Sequence, residues 1–179
     1  MFTVSTPRDG LFQHPARSKS QQVARGPRNP ALKRAVRVQY GALPYRFTRG
    51  AELEILLLTT RQSKRWIIPK GWPIKGLRPA KSAAREAFEE AGVRGRVRAK
   101  SVGFFAYNKI LDENGVRVSC EVRVFPLLVK RQSETWPEIE QRVVQWVAPD
   151  KALALIEEPE LKALVAAFIT RQMSQQVTA

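Results

Sequence analysis

Three glutamates stand close together in the segment Arg85-Glu86-Ala87-Phe88-Glu89-Glu90-Ala91-Gly92. Glu86, Glu89 and Glu90 relate as i, i+3 and i+4, so on a helix they share one face, within an arc of roughly 100°. Like charges at that spacing weaken a helix. These also lie in its C-terminal half, where the macrodipole disfavours anions. The chain holds 31 Lys+Arg against 16 Asp+Glu, so basic residues were there to be used instead. Keeping three carboxylates together makes sense if a divalent cation neutralises them. Mg2+ prefers hard oxygen ligands and shares phosphate oxygens with a substrate. Arg85 lies one turn before Glu89 and can pair with it, fixing its direction. Spacing alone reads more readily as a solvated acidic face, which is common, so the neighbouring residues carry the decision.

The segment before the helix is Pro69-Lys70-Gly71-Trp72-Pro73-Ile74-Lys75-Gly76, a Gly/Lys-rich loop. A loop with free backbone groups and ammonium groups beside a carboxylate face suits a diphosphate. A metal bridges the phosphates, the lysines offset remaining charge, and a metal-activated water is the nucleophile. Lys70 and Lys75 are the strongest phosphate contacts by position. Arg61, Lys64, Arg65 and Arg78 flank the same region as clamps or steering charges. Trp72, between Gly71 and Pro73, is expected to be exposed and able to stack on a substrate. Trp66 and Trp146 lie on apolar strands and read as core.

Gly71 followed by Arg85-Glu86-Ala87-Phe88-Glu89-Glu90-Ala91-Gly92-Val93 resembles the Nudix box, G-x5-E-x7-R-E-U-x-E-E-x-G-U with U apolar. The spacing from Gly71 to Arg85 is that of the family. The one departure is Leu77, where the family usually has its first glutamate. The resemblance implies an α/β Nudix fold, a mixed β-sheet sandwiched between α-helices. It implies Mg2+- or Mn2+-dependent hydrolysis of a diphosphate linkage, with Glu86, Glu89, Glu90 and the Lys70 carbonyl as metal ligands and Gly71 in the substrate loop. The general base of the family is a box glutamate or a later acidic residue; here the later candidates are Glu138 and Glu140. RWIIPKGWPIKG and ETWPEIEQRVVQWV are similar to the branch that hydrolyses diphosphoinositol polyphosphates and diadenosine polyphosphates. Two alternatives follow from the same residues. One is a protein that processes or binds RNA, which the positive charge admits. The other is a catalytically silent phosphate-binding domain, for which Leu77 is the argument.

The elements that must hold this site follow from patterning. AVRVQYGALPYRF alternates and reads as a strand, and Leu53 to Thr60 is an apolar run suited to a strand buried on both faces. RWIIP is a short strand. Pro79 opens a helix that Gly92 closes. VRAKSVGFFAYNK and VRVSCEVRVFPLLVK read as strands, with an Asn-Gly turn between them. RVVQWVA is a last strand. Asp150 is expected to cap a helix, KALALIEE, and Pro159 opens another over ELKALVAAFITRQ. On the helix wheel Ala80, Ala84, Ala87, Phe88 and Ala91 form the apolar stripe.

The 179 residues suit one domain, with 44% apolar residues and a net charge of +15. The charge predicts an anionic partner, here a phosphate-rich small molecule. Residues 1–35 read as a flexible basic arm, 36–171 as the domain and 172–179 as a short tail. The arm is rich in Arg and Ser and poor in acid, which also resembles a transit peptide. One cysteine, Cys120, excludes an internal disulfide and a thiolate cluster, and the single histidine, His14, near the N-terminus, argues against a Ser-His-Asp triad or a histidine-based zinc site. No stretch is long and apolar enough to span a bilayer, and a reducing, cytoplasmic location is expected. The protein is expected to be a monomer or homodimer without a membrane partner.

Overall fold

The computed structural model describes residues 36–110 and 117–177. The basic arm and the Asn-Gly turn lie outside the described residues.

β1 (Arg37–Phe47) alternates because its two faces meet different layers. Leu43 and Tyr45 point into one apolar cluster and Ala42 into another. β2 (Leu53–Thr59) has the same double burial, with Ile55 and Leu57 on one face and Leu56 and Leu58 on the other. The continuous apolar run therefore does mean a two-sided strand. β3 (Trp66–Ile67) is two residues long, as is β4 (Lys70–Gly71), which pairs with β1. After the loop come α1 (Pro79–Ala91), β5 (Val93–Val97), β6 (Gly103–Ile110), β7 (Arg117–Gln132) and β8 (Val144–Val147). α2 (Pro149–Leu155) and α3 (Pro159–Val177) end the chain.

The sheet is mixed. β1 and β7 run parallel from Arg37↔Cys120 to Tyr45↔Leu128, and the other pairs are antiparallel. The main path is β3-β2-β1-β7-β5; β4 joins β1, β6 joins β7 and β8 joins β2. α1 covers one face through Ala80, Ala83, Ala87 and Ala91, against Leu56, Leu58, Phe125 and Leu127. α2 and α3 cover the other through Ala152, Leu161, Val165 and Phe168, against Leu43, Ile55, Val122 and Val124. This is the expected α/β layering.

Several expectations change in detail. Ala83, not Ala84, completes the buried stripe; Ala84 and Phe88 are half-buried. VRAKSVGFFAYNK is not one strand. Val97 ends β5, the chain breaks over 98–102, and β6 begins at Gly103. Asp150 is not the cap: Ala148 is, without a side-chain hydrogen bond, and Asp150 sits in the first turn. α3 runs past Gln172 to Val177, through most of the stretch expected as a tail. In β6, Phe104 faces out, whereas Phe105 and Tyr107 share the inner face.

Candidate active site

α1 ends where the sequence says it should. Gly92 adopts φ 71°, and its N–H closes the helix on the carbonyls of Ala87 and Phe88. The ring of Trp136 lies where a Cβ on Gly92 would sit, within 2.5 Å. Glycine is thus required twice at this point, and the packing pins the segment after β7 against the end of α1. The Glu138 N–H then donates to the Glu89 carbonyl at 3.1 Å. This return of the chain completes a cluster that local patterning does not contain.

Glu90 is the centre of that cluster and is only 6% exposed. One carboxylate oxygen accepts from the Lys70 backbone N–H at 3.0 Å, and the other from the Arg142 guanidinium. Arg142 also donates to Glu138 at 2.8 Å and to the Thr59 carbonyl at 3.1 Å. Arg61 binds the second oxygen of Glu138. Glu89 accepts from Arg85 at 2.5 Å, the one-turn pair expected from the spacing. Glu86 has none of these arginine clamps. Its carboxylate lies over Gly71, where a Cβ would fall 2.1 Å from the carboxyl carbon.

Burial is the main reason that the Glu86 carboxyl is pushed up to about 7; repulsion from Glu90, Glu89 and Glu138 adds to it, and Lys70 opposes it. Burial likewise raises Glu90 above its ordinary range, against the pull of Arg142 and Lys70. The cluster is thus a concentration of negative charge short of compensation. Every donor atom offered by its acidic side chains is a hard carboxylate oxygen, which suits Mg2+ or Mn2+. Among the described residues no three acidic, imidazole or thiol groups already form a cage. Glu89 is turned to Arg85, and Glu90 to Arg142 and the Lys70 amide. The residues fit a divalent ion in donor chemistry, with Glu86 the least constrained of the three.

The raised Glu86 fixes a pH dependence of the metal-free protein. Its folded-state value lies above the unfolded 4.5, so folding takes up a proton between 4.5 and about 7. That stabilisation is complete below 4.5 and is lost as pH rises through 7. In chelator, the free energy of unfolding therefore carries a component that falls over this window, and Glu86→Gln removes it. Denaturant titrations at several pH values check this; an unchanged slope in the variant would contradict it.

Gly71→Ala tests the close approach. The new Cβ forces the Glu86 carboxylate away, and a displacement of about 1 Å in a catalytic group can cost on the order of a hundredfold in rate. We expect a kcat loss of about that size, with thermal unfolding nearly unchanged because the atom displaced is the end of a flexible side chain. Steady-state assays and a melting curve measure both.

The other sequence candidates divide. Lys70 is built into the cluster through its backbone, and its ammonium lies 4.7 Å from the Tyr107 ring centroid. Lys64, Arg65 and Lys75 are exposed, as is Trp72, whose ring has the Arg37 guanidinium 6.0 Å from its centroid. Trp66 and Trp146 are half-buried and pack against the two cores. Leu77 is exposed in the loop. Of the two later acids, Glu138 joins the cluster; Glu140 is exposed and makes no ion pair there. Arg142 was not singled out from sequence. Its one local signal is the i, i+4 spacing from Glu138, which the structure uses as an ion pair.

A cavity of about 240 Å3 adjoins the cluster, lined in part by Arg65, Trp66, Phe105, Tyr107, Glu157 and Glu158. Tyr107 links it to Lys70, and the neighbouring Thr59 carbonyl links it to Arg142. The Tyr107 hydroxyl donates to Gln39 at 2.6 Å, and burial pushes its phenol well above the ordinary range.

The NUDIX domain family matches residues 37–168. Nudix hydrolase 21, chloroplastic, of Arabidopsis thaliana is 35% identical over 144 residues, covering 76% of this chain and 68% of that one. Among solved structures, a C. elegans Ap4A hydrolase binary complex aligns with TM-score 0.56 and 19% identity, over 78% of this chain and 99% of that one. The NUDIX domain of Shewanella oneidensis NrtR, complexed with ADP ribose, aligns with TM-score 0.57 and 15% identity, over 79% and 92%. At such identities the structures speak for the fold, and the sequence matches carry the family. With the box and its loop in place on that fold, the chain belongs to the Nudix family and is a Nudix hydrolase, an enzyme acting on phosphorus-containing anhydrides.

Proposed function

We propose that the protein hydrolyses a diphosphate linkage in a diadenosine polyphosphate, using Mg2+ or Mn2+. The observation that carries the substrate choice is the cavity beside the carboxylate cluster. Its lining combines the half-buried aromatic rings of Trp66 and Tyr107 with Glu157 and Glu158. A planar, uncharged base with amino donors suits aromatic walls and carboxylate acceptors. An inositol ring crowded with phosphates would be repelled by the same two carboxylates. The likeness in fold to an Ap4A hydrolase points the same way.

Glu86, Glu89 and Glu90, with the Lys70 carbonyl, would hold the ion, which when bound offsets phosphate charge and acidifies water. The roles of the remaining residues follow from the geometry. Both oxygens of Glu138 are held by arginines, so it positions Arg142 rather than taking a proton. Among the box glutamates Glu86 alone carries no such clamp, which leaves it a carboxylate oxygen to act as general base. It receives the proton of the attacking water as the phosphoanhydride P–O bond breaks. Lys70 and Lys75 steady the phosphates. The cytoplasm remains the proposed location, with Cys120 buried as a reduced thiol.

The test is a panel of diadenosine polyphosphates, inositol pyrophosphates and nucleoside diphosphate sugars with Mg2+. Turnover highest on the diadenosine compounds supports the reading. A preference for inositol pyrophosphates would overturn the substrate choice, and no turnover with any member would overturn the whole.

A further inference from the structure

Away from the carboxylate cluster, two concavities open on the α1 face of the sheet. One of about 340 Å3 is lined by Arg78 and Lys81 of the α1 start, Arg123 of β7, and Val97, Ala99 and Ser101. The other, about 560 Å3, is lined by Arg94 and Arg96 of β5, Lys130 and Arg131 of β7, and again Lys81 and Val97. They share Lys81 and Val97 and so adjoin, a single basic trough in two parts. Seven cations line it, and no Asp or Glu does. None of the seven enters an ion pair among the described residues.

Arg94 rests on the Phe88 ring, 3.5 Å from its centroid, but so many like charges without an ion-pair partner repel one another and destabilise the compact state. Protection of a sheet edge explains part of the pattern, since β5 ends the sheet and charged side chains discourage edge pairing. It does not explain Arg78, Lys81 and Arg123, which lie off that edge. The one ring in its lining, Phe125, is 3% exposed, and the one exposed ring beside it is Phe104, which stands opposite Arg123 in the β6–β7 register. A single exposed ring can stack on one base but is not the broad apolar face that a membrane surface engages. What remains is a set of cations spread over several elements, which matches a chain of phosphates better than a compact anion.

We propose that this trough binds the phosphate backbone of single-stranded nucleic acid, without regard to sequence. The site is distinct from the carboxylate cluster and does not depend on the substrate proposed above. Each phosphate neutralised on a single strand contributes about 0.7 to the slope of log affinity against log salt.

The experiment uses the full chain and fluorescence anisotropy with a labelled single-stranded RNA of mixed sequence, over a salt series. Two triple variants carry the same net charge. One is Arg96→Gln/Lys130→Gln/Arg131→Gln in the trough. The other is Arg49→Gln/Lys151→Gln/Lys162→Gln, all exposed and away from it. The trough variant should lose about 2 from the slope and roughly tenfold or more in affinity at physiological salt. The second variant should stay close to the parent. Melting curves confirm that both fold. Equal losses in the two variants would reduce the effect to net charge and overturn the proposal. So would unchanged binding in the trough variant. Phosphatidylserine vesicles in place of RNA give the membrane arm: binding to vesicles but not RNA would also overturn it.

Discussion

Glu90→Gln should lower kcat/KM for the proposed substrate, diadenosine tetraphosphate, by at least about a hundredfold, since Glu90 is a proposed metal ligand and residues that only orient such a ligand already cost 10- to 100-fold when lost. The change is isosteric, so the effect comes from charge and from hydrogen-bond polarity. Glu90 meets a donor at each oxygen, the Lys70 N–H at 3.0 Å and the Arg142 guanidinium. A glutamine offers one oxygen and one NH2. Whichever way it turns, an N–H faces another N–H in a site that is 6% exposed. The variant therefore loses a negative charge and one of two anchoring bonds. Glu140→Gln is the control. Glu140 is also a glutamate after β7, but it is exposed and makes no ion pair with the cluster, so its replacement leaves the rate unchanged. Steady-state kinetics with Mg2+ decide both. Comparable rates for Glu90→Gln and the parent would remove Glu90 from the mechanism.

The contrast between Glu90 and Glu140 marks where sequence reading succeeds. α1 was legible because everything that defines it is local. Pro79 fits the first turn, Gly92 supplies the left-handed stop, and the alanines and glutamates separate at helical spacing. Local reading also set the loop that holds Gly71 beside the carboxylate face, since the loop leads directly into the helix; the close approach of Glu86 to Gly71 came from the structure. It could not say that Glu90 is buried, because burial comes from Lys70 in β4 and Arg142 after β7 closing over it. Nor could it choose between Glu138 and Glu140, two residues apart in a turn whose direction is set by Trp136 seated on Gly92. β5 was missed for a different reason. Val93–Val97 holds two arginines around Gly95, a poor strand pattern by propensity. It is a strand because β7 is long enough to pair with it, with a register shift between Arg94 and Gly95. The carbonyl of Leu128 would be 2.0 Å from a Cβ on Gly95, so that glycine serves the pairing itself.

Arg142→Met should be the most destabilising single change in the site, by about 3 kcal/mol, within the range measured when one partner of a buried ion pair is removed. The Arg142 and Glu90 side chains are 10% and 8% exposed, so neither charge has much water to fall back on. Methionine fills similar space without donors. Glu90 then keeps only the Lys70 N–H, Glu138 keeps only Arg61, and the Thr59 carbonyl loses its bond. Arg142→Lys does not repair this, because a single ammonium cannot reproduce a guanidinium that binds three acceptors in a plane. The second substitution separates pairing from packing. If the penalty is the stranded Glu90 charge, Glu90→Gln/Arg142→Met recovers part of the stability lost in Arg142→Met, and the two changes are strongly non-additive. Urea denaturation in chelator measures all three variants without interference from bound metal. A loss below about 1 kcal/mol in Arg142→Met, or strict additivity, would mean that the guanidinium is replaceable by packing alone. The same variant also reports on catalysis. Without Arg142, nothing but one backbone amide aims the Glu90 carboxylate, so kcat should fall by roughly 10- to 100-fold even where the protein remains folded.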